Sequence, residues 1–154
     1  MVTDIVQKLS SMGLMAGVDR EALELMAEHG QLLRLENGDV IFEEGAESEP
    51  NIYFVLSGTL AAVKQMRKRE ENVGIMQGGE YFGEFALFTD KPRQAKIEAR
   101  ENSRVLEVSY AVLDSLKEEH APAILNLYEN MFGQVAKRFS AMADKAEKTQ
   151  FWFE

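Results

Sequence analysis

From Gln31 to about Val108 the apolar and β-branched residues fall in short runs of period two, cut at close intervals by turn formers, and this pattern restricts the fold more than any other feature. The runs cover residues 32–35, 40–42, 52–56, 59–63, 73–76, 95–99 and 104–108. The turns between them are written in Asn37-Gly38-Asp39, Glu44-Gly45, Ser57-Gly58 and Gly78-Gly79. At least seven strands spaced about eight to twelve residues apart belong to a sandwich or a barrel. One stretch departs from the alternation. Tyr81-Phe82-Gly83-Glu84-Phe85-Ala86-Leu87-Phe88 fits a strand or a short helix equally, and periodicity does not choose between them.

Both flanks change to a helical period. Ile5, Val6, Leu9, Leu14, Ala22, Leu23, Leu25 and Met26 recur at three-to-four spacing, and Gly13 and Gly17 divide them into two short helices. Asp19 is placed to cap the second, which Gly30 should end. After Tyr110, Ser109 predicts a capped helix over 111–119, and Pro122 opens another. Ile124, Tyr128, Met131, Val135, Phe139, Met142 and Ala146 then form one apolar stripe, widened by Leu127 and Phe132. The stripe fits packing against the chain's own barrel or a coiled-coil-like homodimer seam. The expected fold class is therefore mainly β with flanking helices: one domain over 1–154, with a helical lead-in over about 1–30, a β-barrel over 31–108 and C-terminal helices over 109–149. One core is expected. The terminal Phe151-Trp152-Phe153 is an apolar tail with no assigned contacts.

Composition removes several functions. The chain of 154 residues has no cysteine, so disulfides, thiolate nucleophiles and cysteine-based zinc sites are excluded. A net charge of −9 opposes a nucleic-acid partner, which is held largely through clustered Lys and Arg. No apolar run approaches the roughly 18 residues of a membrane span, and the first residues lack the basic start and apolar stretch of a signal peptide. No membrane association and a cytoplasmic location are expected. His29 and His120 have no ligand-spaced partner, and no nucleophile–base signature stands out, so neither metal nor cofactor nor enzymatic activity is expected. Lys64-Gln65-Met66-Arg67-Lys68-Arg69-Glu70-Glu71 reads as a solvated charged hairpin.

The chemistry concentrates between residues 79 and 99. Arg93 offers a fixed fork of donors suited to phosphate oxygens. Gly83 permits close backbone approach, and a helical turn opening near Glu84-Phe85-Ala86 would aim N–H groups at an anion. Glu84 can accept from a sugar hydroxyl, and Ala86 and Ala95 are small enough to leave a pocket open. The same residues also fit a plainer arrangement: a surface ion pair between Glu84 and Arg93, with Phe82, Phe85 and Phe88 as core.

At these positions the chain resembles the cyclic-nucleotide-binding domain family, found in catabolite-activator-type regulators, cyclic-nucleotide-dependent kinases and nucleotide-gated channels. The family's phosphate-binding cassette resembles Phe82-Gly83-Glu84-Phe85-Ala86-Leu87 followed by Pro92-Arg93-Gln94-Ala95, at the same spacing between glutamate and arginine. Asn37 to Gly45 and Tyr53-Phe54-Val55-Leu56-Ser57-Gly58 are similar to its barrel-entry and strand-turn patterns. The resemblance covers roughly residues 5–140 and implies a double-stranded β-helix, a jelly-roll-like barrel, with short N-terminal helices and a long C-terminal one. It implies a cyclic nucleotide as ligand, with cAMP expected. Glu84 would bind the ribose 2′-hydroxyl, Arg93 the cyclic phosphate, and the backbone around Gly83, Phe85 and Ala86 would donate to that phosphate. Gln94 would border the phosphate beside Ala95. Where the family often carries a small residue this chain has Gln94, and where it often carries a small hydroxyl residue it has Lys96. The chain ends where related transcription factors would begin a DNA-binding domain, so output through an effector protein, with no DNA-binding domain of the chain's own, is expected; the resemblance favours pairing through the C-terminal helix. The alternative is a ligand-free interaction module that keeps the barrel, with Gln94 and Lys96 as traces of the loss.

Overall fold

The computed structural model describes the backbone of residues 1–153 and the side chains of residues 1–145. The Ala146 position of the apolar stripe and the contacts of the Phe151-Trp152-Phe153 tail lie outside the described side chains.

The lead-in consists of α1 (Val2–Ser10), a 3₁₀ turn (Gly13–Met15) and α2 (Arg20–His29). Asp19 caps α2 by accepting from the Ala22 N–H at 3.0 Å, as expected. Eight strands follow: β1 (Gln31–Leu35), β2 (Val40–Phe42), β3 (Asn51–Ser57), β4 (Thr59–Gln65), β5 (Glu70–Gln77), β6 (Tyr81–Phe82), β7 (Lys96–Ala99) and β8 (Ser103–Ser109). They form two four-stranded antiparallel sheets in the orders β1-β8-β3-β6 and β2-β7-β4-β5, a jelly-roll-like barrel. The chain closes with α3 (Tyr110–Glu119), capped by Ser109 accepting from the Val112 N–H, and α4 (Ala121–Phe153).

Strand parity explains why the apolar content of β3 is continuous rather than alternating. Ile52, Phe54 and Leu56 face the helices, whereas Tyr53 and Val55 face the barrel interior. A strand buried on both faces reads as an unbroken apolar run. The expected single core is therefore two apolar clusters, one on either side of the β1-β8-β3-β6 sheet. The larger joins α1, α2, α3 and the first turns of α4 to that sheet; the smaller fills the barrel around Val55, Leu60, Phe82 and Val105. Gly58 makes the β3–β4 turn at φ +94°, where a Cβ would stand 2.1 Å from Ser103 Oγ. That hydroxyl instead accepts from the Thr59 N–H at 3.1 Å.

The stripe on α4 divides in two. Ile124, Leu127 and Met131 are buried against the lead-in and α3, while Phe132, Phe139 and Met142 are largely exposed. Two amides fasten the first part: Asn126 donates to the Gly17 carbonyl at 2.9 Å, and Asn130 to the Leu14 carbonyl at 2.8 Å. The Leu14 carbonyl belongs to the 3₁₀ turn and the Gly17 carbonyl lies two residues past its end. Among the described residues no helix is long and apolar enough to cross a membrane, and no group of acidic or histidine side chains could hold a metal ion.

Candidate ligand site

The ambiguous stretch 81–88 is both of its alternatives. Tyr81 and Phe82 form β6 against β3, Gly83 turns the chain at φ +84°, and Glu84–Leu87 is a 3₁₀ turn. A Cβ at Gly83 would stand 2.8 Å from Tyr53 Cδ2, so the turn needs glycine both for its left-handed backbone and for the space. The first bond closing the 3₁₀ turn runs from the Ala86 N–H to the Gly83 carbonyl at 3.2 Å. The Phe85 N–H precedes it and has no acceptor within the turn, whereas the Glu84 N–H donates to its own carboxylate.

Arg93 is placed by backbone and aromatic contacts together. Its N–H donates to the Ala46 carbonyl and its carbonyl accepts from the Gly45 N–H, both at 2.8 Å. Its guanidinium donates to the Glu49 carbonyl at 2.8 Å and lies 4.2 Å from the centre of the Phe42 ring. Phe42 in turn leans on Tyr53 and Phe82, which stack at 4.9 Å. The residue is only 7% exposed, yet a guanidinium has five N–H donors, and one carbonyl does not exhaust them. Burial pushes the Tyr53 hydroxyl up to about 12, so the aromatic floor is neutral at ordinary pH.

Six of the seven expected residues line one cleft with a cavity volume of about 120 Å³: Gly83, Phe85, Ala86, Arg93, Gln94 and Ala95. Sequence reasoning missed Phe42, Ser48, Thr89 and Lys91, which also line it. Phe42 carries a legible signal, as an aromatic in a strand of the barrel entry; Ser48 sits in an irregular loop with no such signal. Lys96 does not line the cleft. Along β7 it alternates with Ile97, which does, and its ammonium pairs with Glu70 and Glu98 at 3.2 Å each. Gln94 borders the cleft, and its carbonyl accepts from Lys64 at 3.0 Å.

Glu84 is the seventh, and it faces elsewhere. It lines a second, largely apolar groove between the 3₁₀ turn and α4, with Phe85, Phe88, Tyr128, Phe132 and Val135. Its Oε1 lies 3.6 Å from the Arg138 guanidinium on α4. Burial raises the Glu84 carboxyl above the ordinary carboxylate range, with its own backbone N–H and Arg138 opposing the rise. No ion pair joins Glu84 to Arg93 among the described residues, so the plainer surface-pair arrangement is absent, and both side chains are buried. His120 is buried too, at the α3 C-terminus, where it approaches Asp19 and Glu21 at 3.9 and 3.8 Å.

A sequence model of the family described as Cyclic nucleotide-binding domain matches residues 32–120, from β1 to the end of α3. Neuropathy target esterase sws of Drosophila mojavensis is 24% identical over 98% of this chain and 11% of its own length. A cAMP-dependent protein kinase regulatory subunit of Candida albicans is 40% identical over 42% of this chain and 13% of its own length. The chain thus spans little more than a tenth of the length of these curated relatives. Among solved structures, a cyclic nucleotide-binding domain from Methylobacillus flagellatus superposes with a TM-score of 0.77 at 16% identity, covering 94% of this chain and 81% of that one. The regulatory domain of Toxoplasma gondii PKA, crystallised with cAMP, gives 0.67 at 21% identity, covering 86% and 50%. At these identities the superpositions establish the fold.

Proposed function

The chain belongs to the cyclic nucleotide-binding domain family, and on that premise we propose that it is a cAMP sensor which signals through protein contacts. The observation that carries the reading is the cleft itself: a buried, pre-positioned Arg93 beside the opening of a 3₁₀ turn that Gly83 makes possible. A cyclic phosphate of one negative charge fits one arginine fork and a few backbone donors. In this assignment Arg93 pairs with the phosphate, the backbone around Gly83, Phe85 and Ala86 donates to it, Glu84 accepts from the ribose 2′-hydroxyl, and Gln94 and Ala95 border the ligand. The choice of cAMP is supported by the names of the kinase regulatory relatives and the ligand of the Toxoplasma structure.

The output is proposed to pass through α4, whose Phe132, Phe139 and Met142 are exposed, the first of them beside the 3₁₀ turn, and suit an effector protein or a second copy of the chain. The ligand moves that surface only if it binds one arrangement of α4 better than another. The module is assigned no catalysis, no cofactor, no nucleic-acid contact and a cytoplasmic location. Calorimetric titration with cAMP and with cGMP tests the ligand: heat from cAMP at micromolar concentration is expected, and no heat from either nucleotide in the high micromolar range overturns the assignment. The engagement of Glu84 by Arg138, away from the cleft, favours one second reading, a ligand-free interaction module. It requires a protein partner bound through α4 by a chain that gives no such heat.

A further inference from the structure

The two parts of α4 are held in different ways. The proximal part is fastened by buried Leu127 and by the Asn126 and Asn130 amides. Past Met131, whose carbonyl meets the Tyr81 hydroxyl at 3.4 Å, the helix carries largely exposed apolar side chains. There Arg138 reaches back to the barrel, with its guanidinium 3.6 Å from Glu84 and 5.4 Å from the centre of the Tyr81 ring. The partners are unequal. Glu84 is 8% exposed and needs a counter-charge in its apolar surroundings, whereas the Arg138 side chain is 52% exposed and can return to water at little cost.

Taking the cleft as a cyclic-nucleotide site, we infer that Arg138 is a built-in competitor of the ligand: it holds Glu84 on the α4 side, and the carboxylate must leave it to reach a ribose seated on Arg93. The geometry requires the exchange because Glu84 lines the groove under α4 and not the Arg93 cleft. Turning its carboxylate into the cleft breaks the ion pair and releases the distal part of α4 from the cassette. Arg138 is thus a positioning residue, acting on the ligand through Glu84.

The test is calorimetric titration of the full chain, as wild type, Arg138→Gln and Arg138→Lys, with cAMP and with its 2′-deoxy analogue. Thermal melting confirms the fold of each variant. Arg138→Gln is expected to bind cAMP about two- to fivefold more tightly, the scale of a partly exposed ion pair. Arg138→Lys stays near the wild type, and the 2′-deoxy analogue, which has no hydroxyl to offer Glu84, gains nothing. Removing a cation near an anionic ligand should by Coulomb attraction alone weaken binding, so tightening is not a trivial charge effect. If the wild type binds cAMP and Arg138→Gln binds it no more tightly, or both ligands gain equally, the competition is overturned while the ligand assignment stands. If neither protein binds, both are overturned.

Discussion

The two sides of the cassette are built on different supports. On the Arg93 side every support comes from the barrel: backbone bonds to residues 45 and 46, the Glu49 carbonyl and the Phe42 ring. On the Glu84 side the ionic support among the described residues is Arg138, from a stretch of helix whose apolar neighbours face solvent. One side is set by the fold before any ligand arrives; the other depends on where α4 lies. A site divided this way can hold an anion through its fixed side and report the event through its other side, on the condition that the ligand binds a second arrangement of that side better than the first.

The largest effect should come from the fixed side. Arg93→Ala is expected to weaken cAMP binding by about 2–5 kcal/mol, roughly 30-fold or more, because the phosphate would be left in a buried cleft without its charge partner. Arg93→Lys should recover only part of this, since an ammonium keeps the charge but not the fork. If calorimetry shows Arg93→Ala losing no more affinity than Glu84→Ala, the contrast between the two sides fails. Gly83 joins them, and Gly83→Ala comes next in size. The Cβ would meet the ring of Tyr53, which is stacked on Phe82 and cannot withdraw, at a backbone angle that disfavours any side chain. A loss of about 1–3 kcal/mol of stability, read as a lower Tm, is expected. An unchanged Tm would mean that this turn is free to rearrange, and that the Arg93 side is less fixed than its contacts imply.

What the sequence discloses follows the range of the interactions. The seven short apolar runs are strands, and Asp19 and Ser109 cap the helices that follow them, because strand formation and capping are decided largely within a few residues. β6 is two residues long and merges with the 3₁₀ turn, too short for any period to register. The cleft-lining residues from Gly83 to Ala95 stand out in the sequence through resemblance to a family motif confined to one segment, whereas the direction of Glu84 has no local signal. That direction depends on Arg138, distant in sequence, and on an ion pair that no spacing rule connects. Lys96 illustrates the reverse case: its outward position follows from alternation with Ile97 along β7, a local rule that resemblance to a family pattern overrode.

The smallest effect is the most specific to the Glu84 side. Burial raises the Glu84 carboxyl in the folded chain above its ordinary value of 4.5, while in the unfolded chain it titrates normally. Between those two values the folded state binds more protons than the unfolded state, so stability falls as pH rises through the window and is regained as pH falls. Glu84 therefore costs stability at neutral pH relative to a residue that never ionises, and the cost shrinks toward mildly acidic pH. Paired melting curves of the wild type and Glu84→Gln should show the wild type gaining on the variant as pH is lowered from neutral toward the ordinary carboxyl value of 4.5. Arg138 opposes the rise, so adding Arg138→Gln should enlarge the gain by leaving the carboxylate without its counter-charge. A difference that stays flat with pH would mean that water reaches Glu84 freely. The Glu84 side would then already be open without ligand, leaving Arg138 nothing to hold.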